Sequence, residues 1–157
     1  MSTPTPITAL ARRWRLEVNM GTSVAPDWQL NPAVTAFNWS IEPNNEDDGT
    51  YDDGGWGDST KTAQSWTATA TFNRKKSADD TVFNAVHEKL RAAARAFGAA
   101  SEVEIRFADR DGLPEAYQGT ALVTWEPQND ARTDLDQVQA TFTGKRELAE
   151  VANWLAA

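Results

Sequence analysis

The sequence predicts a mainly β protein with one α-helix, a β-sandwich or partly closed barrel that carries the helix on one flank. Six segments alternate apolar and polar residues with period two, the signature of half-buried strands. One segment alone, residues 79–97, spaces its apolar residues at helical intervals. Between the second and third strand segments lies a long stretch rich in glycine and carboxylate with no periodicity of its own. Loops beyond about 12–15 residues are usually functional or disordered.

The chain has 157 residues, which suits one domain. At this size a self-standing core is feasible without disulfides or metal. Cysteine is absent, so thiol catalysis, disulfides and thiolate metal sites are excluded together. The net charge of −8, from 23 acidic and 15 basic residues, argues against a sequence-reading DNA binder, which needs clustered Lys and Arg. A like-signed surface instead keeps a passing polyanion from sticking. No apolar run approaches the ~20 residues of a membrane span, so no membrane partner is expected. The N-terminus lacks a basic start followed by an apolar stretch, and no secretory signal is expected.

Residues 1–11 are Thr- and Pro-rich and are expected to form a flexible arm. Residues 12–147 form the expected domain, and residues 148–157 a C-terminal tail. Trp14, Leu16, Val18 and Met20 alternate with Arg13, Arg15, Glu17 and Asn19, a strand with one buried face. Gly21 to Pro32 punctuate a connection. Phe37, Trp39 and Ile41 mark a second strand, closed by Pro43. After the acidic loop, residues 42–61, Trp66, Ala68, Ala70 and Phe72 face one way and Thr67, Thr69 and Thr71 the other. The threonine face suits a sheet side that sees water.

Ser77 or Asp79 can cap the helix, and Gly98 suits its C-terminal end. Val82, Phe83, Val86, Leu90, Ala94 and Phe97 form its expected buried stripe, with His87 on the helix surface. Three strands follow, through Val103–Phe107, Tyr117–Trp125 and Val138–Phe142, the first pair joined by an Asp-Gly turn at Asp111-Gly112. In the tail, Leu148, Val151 and Leu155 have helical spacing, which predicts a short terminal helix.

Oxygen ligands on a Gly-rich loop are what calcium requires, and the EF-hand is the template such a loop would have to fit. With its glycine at Gly49, Asn44, Glu46 and Asp48 take the first ligand positions, but Gly55 falls where the bidentate Glu belongs. No metal ligands are therefore assigned. Glu46, Asp47, Asp48, Asp52, Asp53 and Asp58 repel one another, which favours an extended loop in the free protein. Tyr51 and Trp56 are the expected anchors for another surface. Together with Asn44 these residues are the candidate contact loop.

Arg74, Lys75 and Lys76 form a basic cluster at the end of the third strand segment. The plainer reading is a solvated turn. The sharper one is that one molecule's basic turn meets another's acidic loop. Trp14, Trp39 and Trp66 are core candidates, whereas Trp28, Trp56 and Trp154 lie outside clear strands and are interface candidates. Asp109 and Asp111 belong to a turn, and no nucleophile, phosphate-loop or zinc motif occurs. No catalytic residue and no cofactor is assigned.

Several segments together resemble the major tail tube proteins of long-tailed, siphovirus-type phages, particularly those of actinobacterial hosts. They are the Trp14 opening strand, the second strand ending near Pro43 and the "YDDGGWGDSTKTAQSW" approach to a Thr-rich strand. The lone helix, "EVEIRFADRDG", "YQGTALVTWEP" and "QVQATFTGK" continue the pattern over most of the chain. The resemblance implies a small sandwich that assembles into hexameric rings, stacked into a DNA-conducting tube. It makes Asn44–Lys61 the stacking loop and Ser2–Ala11 an arm, with Thr67, Thr69 and Thr71 one candidate lumen or interface face. It implies as partners other copies of the chain, a tape measure protein, tail-tip and terminator proteins, and DNA in transit without specific binding. The location implied is the virion tail, after synthesis in the host cytoplasm. Two alternatives remain open: a tail adaptor or terminator that stops at one ring, and a carbohydrate-binding sandwich stacking sugars on surplus tryptophan.

Overall fold

A computed structural model describes residues 4–156. Eight strands form one antiparallel sheet. They are β1 Trp14–Asn19, β2 Trp28–Leu30, β3 Val34–Asp47, β4 Ser59–Asn73, β5 Glu102–Asp109, β6 Ala116–Pro127, β7 Gln137–Gly144 and β8 Ala149–Glu150. The spatial order is β2-β1-β5-β6-β7-β4-β3, with β8 paired to β6. One α-helix, α1 (Ala85–Arg95), is found among the described residues. The expected class, mainly β with one helix, is borne out.

The sandwich arises by curling a single sheet. Its two ends meet through aromatic side chains: Trp14 lies 6.1 Å from both Phe37 and Trp39, and Phe107 lies 5.0 Å from Phe37. No strand pairing joins β3 to β1 or β2, so the sheet does not close into a barrel. Inside the curl Leu16, Val18, Ala68, Ala70, Phe72, Ile105, Phe107, Val138 and Phe142 are buried together. Trp66 wedges against the crossing of β6 and β7, where a Cβ at Gly119 or Gly144 would come within 2.6 or 2.3 Å of its ring. Glycine is required at both places because the indole occupies the side-chain space.

β1 departs from the expected single buried face. Glu17 and Asn19 are buried as well as Leu16 and Val18. The cause is a second covering layer. The Arg106 guanidinium stacks between Trp28 (4.6 Å) and Trp154 (4.0 Å), and Trp154 Nε1 donates to Glu17 at 2.9 Å. Two of the three interface-candidate tryptophans are thus spent inside the chain's own fold. Burial alone would push the Glu17 carboxyl up, but donors from Arg106, Trp154 and Arg15 outweigh it and hold it below the usual range.

The helix starts later than its spacing predicts. Asp79 is used by its own turn, accepting from Thr81 Oγ1 at 2.7 Å, and the N-cap is Asn84, whose Oδ1 accepts from the backbone of Val86 and His87. Val82 and Phe83 therefore precede the helix and are exposed, as is Phe97 beyond its end, while Val86, Leu90 and Ala93 are buried. His87 is not a surface residue. It is fully buried and stacks on Phe72 at 4.3 Å.

The C-terminal segment forms β8 where helical spacing predicts a helix. β7 pairs with β6 over Ala121–Pro127 and leaves the edge of β6 at Tyr117–Gln118 open. Glu150 and Ala149 fill that gap, and the Val151 amide donates to Ala116 at 2.9 Å. The pairing satisfies half-buried backbone groups of β6 that a helix would leave without a protein partner.

Candidate assembly interface

The predicted acidic loop is mostly strand. β3 continues through Pro43 to Asp47, and β4 begins at Ser59, paired from Glu42↔Ser65 to Asp47↔Ser59 with a bulge between Asn44 and Asn45. Proline is tolerated because β3 is an edge strand. Side chains lock the arm: Asn44 Nδ2 donates to Thr62 Oγ1 at 3.0 Å, and Thr60 Oγ1 donates to Asp48 at 2.9 Å. The expected self-repulsion does not open the loop, because its carboxylates accept from its own donors. Asp47 takes the Gly49 amide at 2.8 Å, Asp53 the Thr50 amide at 2.6 Å, and Asp58 the Ser59 amide at 2.9 Å. Gly54 and Gly55, at φ 65° and 87°, complete the turn in a region only glycine enters freely.

The result is a two-stranded arm reaching out from the sheet. Residues 42–47 and 59–65 are exposed throughout. β7 pairs with β4 only over Thr67–Asn73, so one edge of residues 59–65 has no partner; the outer edge of β3 is likewise open. A hairpin of two strands is marginally stable in water by itself, and open edges are templates for another chain. At the tip, Tyr51 is fully exposed and Trp56 is 83% exposed. Asp52 points outward with them, and no Lys or Arg lies between Asp47 and Thr60. No cluster of three potential metal ligands exists among the described residues, and Asp47, Asp53 and Asp58 are engaged with their own turn's amides.

The basic cluster sits at the opposite end of β4 and is largely spent internally. Arg74 is not an available cation. Its guanidinium lies over Phe83 (3.9 Å) and Trp125 (5.0 Å) and is paired with Glu88. Lys76 pairs with Asp80 at 2.6 Å, leaving Lys75 exposed and in none of the ion pairs among the described residues. The Lys75 amide donates to His87 Nδ1 at 3.3 Å, while His87 Nε2 meets the Pro32 carbonyl at 3.2 Å, which fixes the Nε2-protonated tautomer. Burial, with Arg74 and Lys75 nearby, pushes the imidazole pKa down despite the Pro32 bond.

Thr67, Thr69 and Thr71 are half-buried on the outer face of the sheet, as the alternation predicts. Cross-strand register extends them into a hydroxyl-rich surface. Thr67 pairs with Ser40 and Thr143, Thr69 with Asn38 and Thr141, and Thr141 in turn with Thr124. These additional positions were readable from the alternation of β7, where Thr141 and Thr143 flank Phe142. Of the N-terminal arm, Ser2 and Thr3 lie outside the described residues, and residues 4–10 are exposed. Ile7 and Leu10 line a cleft of about 610 Å³ with Arg110 and Leu113. No helix among the described residues is long and apolar enough to cross a membrane.

No protein-family model matches the chain, and no curated protein sequence matches it. Solved structures do. A chain in the virion of a native gene transfer agent particle superposes with a TM-score of 0.71 at 10% identity, covering 92% of this chain and all of that one. A chain in the tail of an empty gene transfer agent particle, determined with C6 symmetry, gives 0.68 at 10% identity over 92% of this chain and all of its own. The tail tube of SPP1 gives 0.66 at 9% identity over 94% of this chain and 83% of that one. This is a tail-tube fold. At such identity the likeness is one of backbone, over more than nine-tenths of this chain.

Proposed function

We propose that this chain is a structural tail tube subunit without enzymatic activity. Its copies close into hexameric rings that stack into a hollow tube for passing DNA. The observation that carries the reading is the β3–β4 arm, a two-stranded hairpin with open edges and exposed aromatic anchors that a neighbouring copy would complete. Asn44, Glu46, Asp47, Asp48, Tyr51, Asp52, Asp53, Trp56 and Asp58 serve ring-to-ring contact, and residues 2–11 act as an arm. The hydroxyl face around Thr67, Thr69 and Thr71 lines the lumen or a subunit joint. It is free of Lys and Arg over Asn38, Ser40, Thr124, Thr141 and Thr143, which suits a polyanion that must slide. A tape measure protein and tail-tip and terminator proteins are the further partners, in the virion tail after synthesis in the host cytoplasm. The sequence texture supports the siphovirus type and the branch infecting actinobacterial hosts.

The sugar-binding alternative loses its support, because of the seven tryptophans only Trp56 is largely exposed, and no row of stacked platforms exists. Electron microscopy of concentrated purified protein tests the reading. Uniform hollow tubes are expected. Rings that never stack would point to an adaptor or terminator, and monomers at every concentration would overturn self-assembly.

A further inference from the structure

We propose that the hairpin tip of one copy, led by Trp56 and Tyr51, docks on the surface formed by Val82, Phe83 and Lys75 at the far end of β4 in another copy. The inference deepens the tail-tube reading and rests on it. Val82 and Phe83 are 63% and 47% exposed, an adjacent apolar pair displaced from the helix by its late start at Ala85. They are held rigidly. Phe83 bridges Lys76, the Ser77 amide donates to the Val82 carbonyl at 2.7 Å, and the Arg74 guanidinium covers only one face of the Phe83 ring. Between them and Lys75–Ser77 lies a cleft of about 250 Å³. Exposed aromatic and apolar groups on fixed scaffolds are what make contact hot spots.

Aromatic and apolar surface on both sides, with charge assisting, identifies the occupant. Arg74 is paired with Glu88 and Lys76 with Asp80, so Lys75 is the one of the three basic residues left exposed and outside an ion pair. The tip brings four aspartates and no base between Asp47 and Thr60. Opposite signs set orientation and register, while the aromatic pair supplies buried area. Geometry excludes the same molecule. Fifteen residues of β4 separate tip from patch, roughly 45–50 Å at about 3.3 Å per residue. A copy displaced along the strand direction brings its tip to the patch, and the contact joins two different surfaces. Such a contact repeats without closing and builds a stack.

The chain has no cysteine, which makes cross-linking a clean test. Gly57→Cys places a thiol at the tip, where nothing lies within 4 Å of the new Cβ. Val82→Cys places one at the patch. Tubes of the double variant treated with a short bismaleimide should give a ladder of covalent multimers on denaturing gels. Gly57→Cys with Leu113→Cys, at the same end of the sheet as the tip, should not. Tubes that form without the 57–82 ladder overturn this contact alone, whereas wild-type protein that never forms tubes overturns the assembly reading with it. In parallel, Trp56→Ala and Phe83→Ala should each raise the critical concentration for polymerisation about tenfold or more, with the double variant little worse than either single. Phe83→Ala polymerising as wild type also overturns the proposal.

Discussion

The two halves of β4 are one continuous strand in two different settings. From Trp66 to Asn73 it lies between β3 and β7 and alternates buried with half-buried residues; from Ser59 to Ser65 it has β3 alone and is exposed throughout. Threonine recurs in both, as Thr60 and Thr62 outside and as Thr67, Thr69 and Thr71 inside, but only the inner half adds large apolar residues, Trp66 and Phe72. Both halves form strand, so intrinsic strand preference alone does not separate them. Packing does, since β propensity is mostly a measure of what a side chain packs against. The inner half belongs to a finished core, and the outer half is a hairpin lacking the third layer or strand that would stabilise it.

The largest effect belongs to the inner half. Trp66 is buried, its ring fills the space over Gly119 and Gly144, and its Nε1 donates to the Arg146 carbonyl at 2.9 Å. Trp66→Ala should cost about 3–5 kcal/mol, which at this chain length lowers the melting temperature by on the order of 10 °C. Trp56→Ala, in the outer half, should leave the melting temperature of the monomer unchanged within about 1–2 °C. Equal losses for the two tryptophans would erase the distinction between the halves.

That distinction also marks what the sequence could show. Strands with one buried face announce themselves by alternation, so the central strands and the threonine face were legible. The outer hairpin buries neither face, and with no apolar period to display it reads as a loop. Its acids suggested repulsion because a sequence does not reveal that Asp47, Asp53 and Asp58 take up their own loop's amides. The helix start was obscured because Ser77 and Asp79 have capping chemistry but spend it on a turn, leaving the cap to Asn84. Arg74 and His87 were misplaced for one reason: both have polar side chains whose partners, Glu88 and Pro32, come together only in the fold. The tip aromatics needed no fold to be noticed, since nothing in the chain offered them a core.

An intermediate effect lies at the inner end of the strand, where Phe72 stacks on His87. The imidazole is held neutral by burial, so its folded pKa lies below its ordinary 6.5. Between those two values the unfolded chain binds the extra proton. Stability is therefore full above about pH 6.5 and falls as the pH drops below it, with a slope of at most about 1.4 kcal/mol per pH unit. Thermal melts should show the melting temperature declining as the pH falls below about 6.5. The Glu17 and Asp109 carboxyls, held below their ordinary 4.5 and 3.8, add a separate loss only at lower pH. His87→Phe should remove the upper decline whatever its own melting temperature, and a decline that survives the substitution would assign it elsewhere.

The smallest effect on folding carries the largest contrast in assembly. Replacing residues 48–58 by Asn-Gly closes β3 onto β4 with a two-residue turn suited to a hairpin. The tip contributes nothing to the core: its residues are exposed or half-exposed, and its hydrogen bonds run within the loop or to Thr60 at its base. The melting temperature of the monomer should stay within about 2 °C of wild type, while sedimentation should show polymer reduced to background. A shortened chain that still pellets would mean that copies associate through the sheet edges alone, and the outer half of β4 would then be a lateral strand rather than the proposed reach toward another ring. A chain that no longer melts cooperatively would mean the arm belongs to the core after all, in spite of its exposure.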